Sequence, residues 1–206
     1  MKRILVAPKV VNKDERRREI ALSCISLVNQ GIRKITVSQV AKTAGIGKGT
    51  VYEYFENKED IIFEIINIHI EEHHKAFLET IKTVQSTREK IFIFLHFVLD
   101  ESDETMQHFK GYQDYLSIVL SDNNDIMKDF NSKCREFFTQ QLKFLIDEGI
   151  HKGELIPQSA SMVNGLICFE KGVALSKMIQ KDFDAKSVCT TFIDTLFNLI
   201  EVKHDS

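Results

Sequence analysis

The chain of 206 residues contains no tryptophan, only two prolines and nine glycines. So few helix breakers suit a mostly helical protein, and alternation of strand type is scarce. It has no run of about eighteen apolar residues, so no membrane span is expected. The opening MKRILVAPKVV is interrupted by Pro8 and Lys9 before a signal-peptide core could form, and a cytoplasmic location follows as the expectation. Cys24, Cys134, Cys168 and Cys189 show no Cys-x-x-Cys spacing and each sits among apolar residues. That pattern predicts four buried thiols in a reducing compartment, with a redox sensor as the alternative. No nucleophile and base at motif spacing, no phosphate loop and no paired catalytic carboxylates stand out. Catalysis therefore has no visible carrier, no cofactor is expected, and the chain reads as a non-enzyme. His69 and His73 are four apart on a predicted helix, with Glu72 and His74 beside them, the spacing at which one face can hold a divalent cation. Ile70 stands where the HExxH motif has its glutamate, so we read a solvated face and no metal.

What is present is apolar content of 43%, enough for real cores, and a charge that is unevenly spread. The net charge of −3 argues against a nucleic-acid binder until it is divided. Residues 1–60 hold 12 Lys/Arg and 7 Asp/Glu, net +5; residues 61–206 hold 15 and 23, net −8. Lys2, Arg3, Lys9, Lys13, Arg16, Arg17 and Arg18 precede or open the first predicted helix, and basic arms of this kind track phosphates or enter the minor groove. Phosphate contact is the expectation for Arg16, Arg17 and Arg18.

The most telling stretch is TVSQVAKTAGIGKGTVYEYFENKEDII, residues 36–62. Val37, Val40 and Ala41 recur at helical spacing, and Ala44 and Gly45 close that helix. Gly45 suits the left-handed conformation that reverses a chain, and a second helix, residues 48–55, begins after Ile46 and Gly47. Two short helices bent about a glycine form a helix-turn-helix, which puts its second helix into the DNA major groove. Val51 and Phe55 anchor one side of that helix, leaving Lys48, Thr50, Tyr52 and Tyr54 pointing partly or wholly outward. Gly47 and Gly49 leave its start without a side-chain cap and let a backbone approach closely. Hydroxyls, a lysine and the helix N-terminus all favour anions.

This run resembles the DNA-binding domain of the TetR family of bacterial transcriptional regulators. The family pattern is matched by Thr36, Val37, Val40, Ala41, Ala44, Gly45, Thr50, Val51, Tyr52, Tyr54, Phe55, Lys58 and Glu59. The family's first helix has a counterpart in residues 14–31, where Ile20, Ala21, Cys24, Ile25 and Val28 keep a three-four spacing and Gly31 stops the helix. The departure from the family is Gly47, where a serine cap is common. The resemblance implies that Lys48, Gly49, Thr50 and Tyr52 meet base edges or adjacent phosphates, and that Thr36, Ser38, Tyr54 and Lys58 bind the DNA backbone.

Beyond Lys58 the chain reads as longer amphipathic helices. One runs over residues 58–84; Ser86-Thr87-Arg88-Glu89 is a capping box that opens another, carrying Ile91, Phe92, Leu95 and Val98. Residues 100–103 form an acidic break and residues 106–120 a less regular aromatic section. A long helix is expected over residues 123–148 with Gly149 as its stop, then a connector and two final helices, residues 158–180 and 184–202. The expected fold is all-α: a basic arm, residues 1–12; a three-helix helix-turn-helix DNA-binding domain, residues 13–60; and a helical effector-binding and dimerisation bundle, residues 61–206. By the resemblance the last two helices pair with their copies in a homodimer, and Ala160, Ser161, Gly165, Gly172 and Ala174 permit close approach. Phe92, Leu95, His96, Phe109, Tyr112, Tyr115, Phe137, Phe138 and Phe169 are then candidate walls of a pocket for a small apolar effector. The reading is a homodimeric repressor released from a palindromic double-stranded DNA operator by that effector. A regulator acting through a protein partner, and a carrier of a lipid-like molecule, are the alternatives.

Overall fold

The computed structural model describes residues 12–29, 31–120 and 125–203, with the side chains of residues 29, 97 and 103–110 outside that description. The basic arm with Lys2, Arg3 and Lys9 therefore lies outside the described residues. Among those described, the regular structure is helical, with one isolated antiparallel bridge between Leu155 and Glu201. The chain divides into two compact units, the first ending at Glu72 and the second beginning at His73.

In the first unit, α1 (Lys13–Ser23) is capped by Asn12, whose side chain accepts from the Asp14 N–H at 3.0 Å. The helix expected over residues 14–31 is interrupted at Cys24, where the Cys24 N–H donates to the Ala21 carbonyl, and α2 (Ile25–Asn29) follows. This i→i−3 tightening keeps Cys24 and Leu27 both turned into the core, and neither Gly nor Pro marks it in the sequence. Thr36 then opens α3 (Val37–Thr43) with a full capping box: its hydroxyl accepts from the Gln39 N–H at 3.3 Å while Gln39 Oε1 accepts from the Thr36 N–H at 2.9 Å. At the far end Gly45, φ +66°, makes the left-handed turn, with the Ile46 N–H bonded to the Ala41 carbonyl and the Gly45 N–H to that of Lys42. Two residues later α4 (Lys48–Tyr54) begins, and it packs against α3 and α1. The first turns of α5 (Lys58–Ile81) complete this core with Ile61, Ile62, Ile65 and Ile68, which is why the unit extends beyond the start of α5.

The second unit contains α6 (Thr87–Phe94), α7 (His96–Leu99), α8 (Asp103–Val119), α9 (Asp125–His151), α10 (Val163–Ile179) and α11 (Ala185–Ile200), with a 3-10 segment Pro157–Met162 before α10. Ser86 caps α6, its hydroxyl accepting from the Glu89 N–H at 3.5 Å, but the helix ends at Leu95 instead of running through Val98. Of residues 106–120, expected to be less regular, all but Leu120 belong to the continuous helix α8. The long central helix α9 packs against α6, α8 and α10, and the core gathers Ile91, Leu95, Leu142, Leu145, Ile146, Ile167, Val173, Ile193 and Phe197. Gly149 is not the stop of α9. It lies inside the helix, and the chain turns at Gly153, φ +73°, with the Glu154 N–H bonded to the Gly149 carbonyl at 2.9 Å. A Cβ on Gly149 would stand 2.6 Å from Thr87 Oγ1 and 2.9 Å from Leu155 Cδ1, so this glycine serves close packing against the start of α6. No helix among the described residues is long and apolar enough to cross a membrane.

Candidate nucleic-acid interface

The orientation of α4 is fixed from behind. Val51 and Phe55 are 1% and 2% exposed, and this anchorage leaves Tyr52 60% exposed beside Lys48 and Gly49, which are also exposed. Thr50 and Tyr54 are half-buried. The helix start has no side-chain cap, since Gly47 occupies that position in an extended conformation. A side chain at Gly49 would meet nothing within 4 Å, so the absence of one leaves the backbone open on its outer face. Ser38 is exposed near the start of α3, whereas the Thr36 hydroxyl is engaged in the capping box, donating to Gln39 Oε1 at 2.8 Å. Lys58 is half-buried at the first position of α5.

The three consecutive arginines do not act alike, and the inward turn of Arg17 does not fit the phosphate contact expected for it. Arg16 pairs with Glu19 at 2.6 Å and Arg18 with Glu71 at 2.5 Å. Arg17 turns inward, where its guanidinium donates to Asp60 at 2.9 and 3.2 Å, to Glu64 at 3.3 Å and to the carbonyl of Tyr54 at the end of α4. It also lies 4.6 Å above the ring of Phe55. The hydrogen bond to Asp60 is the main cause that holds Arg17 above the ordinary arginine value, against the opposing effect of burial. Burial pushes the Asp60 carboxyl up, but its bonds from Arg17 and from the Glu56 N–H outweigh this and hold it below the usual range. Arg17 thus joins α1, the C-terminal end of α4 and the start of α5. The spacing 17–20–21–24 puts it on the edge of the buried row of α1, a signal the sequence already carried.

Of the candidate pocket walls in the second unit, Leu95 and Tyr115 are buried, and Phe92, Tyr112, Phe137 and Phe138 are half-buried. Phe137 and Phe138 meet edge to face at 5.5 Å, and Tyr112 stacks on Tyr115 at 6.0 Å. His96 is no wall: its side chain is 70% exposed. Phe169 stacks instead on the exposed Phe192, and the side chain of Phe109 lies outside the description. The sequence reading missed Lys171, whose ammonium lies 5.4 Å from the ring centres of both Tyr112 and Phe138 and 3.1 Å from Glu170. The signal was there, because Glu170 and Lys171 are the only charges between residues 163 and 176.

The thiols differ from one another as well. Cys24 and Cys189 are buried, Cys134 is half-buried and Cys168 is exposed, which corrects the expectation of four buried thiols. Burial raises the first three, Cys189 to about 11. His74 turns towards the interior, 5.0 Å from the ring of Phe137. No group of three or more His, Cys, Asp or Glu among the described residues is arranged to hold a metal ion.

The family model described as "Bacterial regulatory proteins, tetR family" matches residues 24–65, which span α2 to α5 and contain the whole turn just described. Residues 24–65 thus match the DNA-binding domain of the TetR family. That match supports a DNA-binding regulator. The chain is similar to the fatty acid metabolism regulator protein of Bacillus subtilis, 23% identical over 184 residues that cover 86% of this chain and 91% of the relative. Its fold is that of a protein from Saccharomonospora viridis in complex with choline, with a TM-score of 0.71 at 16% identity over 92% of this chain and 99% of that one. FadR from Bacillus subtilis in complex with stearoyl-CoA also shares the fold, with a TM-score of 0.61 at 22% identity over 87% of this chain and 96% of that one.

Proposed function

We propose that this chain is a homodimeric TetR-family repressor that holds a palindromic operator and leaves it when an apolar, acyl-like effector enters the second unit. The observation that carries the DNA-binding face is α4, fixed by Val51, Phe55 and Arg17 behind and presenting Lys48, Gly49 and Tyr52 outward. Lys48, Gly49, Thr50 and Tyr52 then face the base edges and adjoining phosphates, and Ser38 and Lys58 the DNA backbone. Thr36 and Tyr54 serve mainly through the cap of α3 and the carbonyl held by Arg17. Tyr52→Ala is expected to weaken operator binding by about 1–3 kcal/mol, measured by titration at fixed salt; unchanged affinity in a folded variant would remove Tyr52 from the interface.

The dimer reading is supported by an apolar face on the last two helices. Leu175 and Ile179 on α10, and Val188, Phe192 and Leu199 on α11, are exposed. The positions of Gly165 and Gly172 open onto empty space, which lets a second helix come close. Ala174, expected on this face, is instead fully buried in the core. For the effector, support comes from the aromatic interior and from the names of its relatives, one a fatty acid metabolism regulator and one a complex with stearoyl-CoA. An effector that binds better to a dimer whose readers no longer match successive major grooves would release DNA by that difference in affinity. Selection of bound sequences from random duplex DNA by the purified protein is the test. A palindrome with half-sites about one helical turn apart, or a small multiple of it, supports the proposal; no enrichment would turn us to the carrier reading.

A further inference from the structure

Glu170 and Lys171 interrupt an otherwise apolar stretch of α10, and Glu170 is only 8% exposed. Taking a charge pair out of water costs several kcal/mol per ion, and apolar residues of similar volume often serve stability as well. The pair therefore calls for a role other than packing. Its ammonium lies 5.4 Å from the ring centres of both Tyr112 and Phe138. Lys171 keeps 41% of its side-chain surface accessible, so a ligand can reach it. From Phe138 the aromatic wall continues through Phe137 to His74. There the structure leaves His74 Nδ1 buried without a hydrogen-bond partner among the described residues. Such an atom is costly unless a water or a ligand satisfies it.

We infer that the effector has an anionic head on an apolar body, the head paired with Lys171 and the body lying along Phe137 and Phe138. This rests on the reading of the second unit as an effector site and adds the charge of the ligand. An ammonium has three N–H donors; Glu170 takes one at 3.1 Å, which leaves donors for the ligand. Burial works against the charge on Lys171, but Glu170 and Tyr112 outweigh it and hold the group above its ordinary value, so the cation is in place before a ligand arrives. A cationic head has no such place. The ring faces that would receive it are occupied by the chain's own ammonium, which also repels it.

The test uses the full chain and three probes of equal chain length kept below micellar concentration: palmitate, hexadecanol and hexadecyltrimethylammonium. Palmitate is expected to bind about tenfold or more tightly than hexadecanol, the gain of one charge-assisted contact, and the trimethylammonium probe most weakly. Since Lys171→Met alone would strand Glu170, the double variant E170Q/K171M keeps the charge balanced. It should abolish the preference for palmitate while leaving hexadecanol affinity and operator binding unchanged. Equal affinity for acid and alcohol, a preference for the cation, or a palmitate preference that survives in the double variant would each overturn the anionic head and leave the effector site standing. Failure of all three probes to bind a protein that still holds its operator would overturn the effector reading as well. A parallel titration with palmitoyl-CoA separates a free carboxylate from an anionic carrier as the source of the head.

Discussion

Arg17 stands between Arg16 and Arg18 with nothing in composition to set it apart, yet its surroundings give it a different task. Its side chain and those of Asp60 and Glu64 are 22–26% exposed, so the network is partly desolvated and more valuable than a surface ion pair. Arg17→Met would leave two carboxylates unpaired and release the end of α4. We expect the first unit to lose about 1–3 kcal/mol in urea unfolding. Operator affinity should fall at every salt concentration while the slope of log K against log salt stays the same, because Arg17 neutralises protein carboxylates and not phosphates. A slope reduced by about one would return it to the DNA contacts. Lys171 teaches the same lesson in the second unit, where a charge that a sequence reader would assign to a solvated face lies against the rings of Tyr112 and Phe138.

Helices were legible where their faces are regular and less so where they bend. The capping residue Ser86 and the turn at Gly45 stand where the sequence puts them, since caps and left-handed turns depend on local chemistry. The break at Cys24 and the path of α9 through Gly149 depend on neighbours distant in the chain. Gly149 yields a prediction of unusual sign. Glycine to alanine inside a helix ordinarily stabilises by about 0.5–1 kcal/mol. Here the added methyl meets Thr87 and Leu155 at 2.6–2.9 Å, so Gly149→Ala should instead destabilise by about 1–3 kcal/mol in the urea midpoint. A stabilised variant would show that α6 gives way easily and that Gly149 is not a packing requirement.

For the molecule as a unit of function, assembly and charge are the properties to measure. Replacing Leu175 and Leu199 together by glutamate places like charges on the exposed face of α10 and α11 without disturbing the core. Sedimentation should shift from dimer to monomer and operator affinity should collapse, since each half-site is then held alone. A variant that stays dimeric would move the interface elsewhere. Acid should act on both units. Asp60 is held low by Arg17 against the effect of its burial, and Glu148 by hydrogen bonds from Lys152 and Lys90. A carboxyl whose folded value lies below its unfolded one contributes stability in full above the unfolded value, and this is lost as pH falls through the folded one. Thermal unfolding should therefore vary little with these groups down to about pH 5 and fall steeply below about pH 4. A midpoint that is flat through that range would mean that neither pair stabilises the fold.

Residue order alone carried the helical class, the helix-turn-helix and the outward residues of its second helix, because periodicity, capping and a left-handed glycine act over a few residues. It carried the positive charge of residues 1–60 for the same reason. It could not say that Arg17 turns inward, that Cys168 is exposed while Cys189 is buried, or that Lys171 lies among aromatic rings. Those facts follow from which helix face meets which neighbour. Side chains of one type become buried, paired or exposed according to contacts made across long stretches of chain, and desolvation then sets their chemistry.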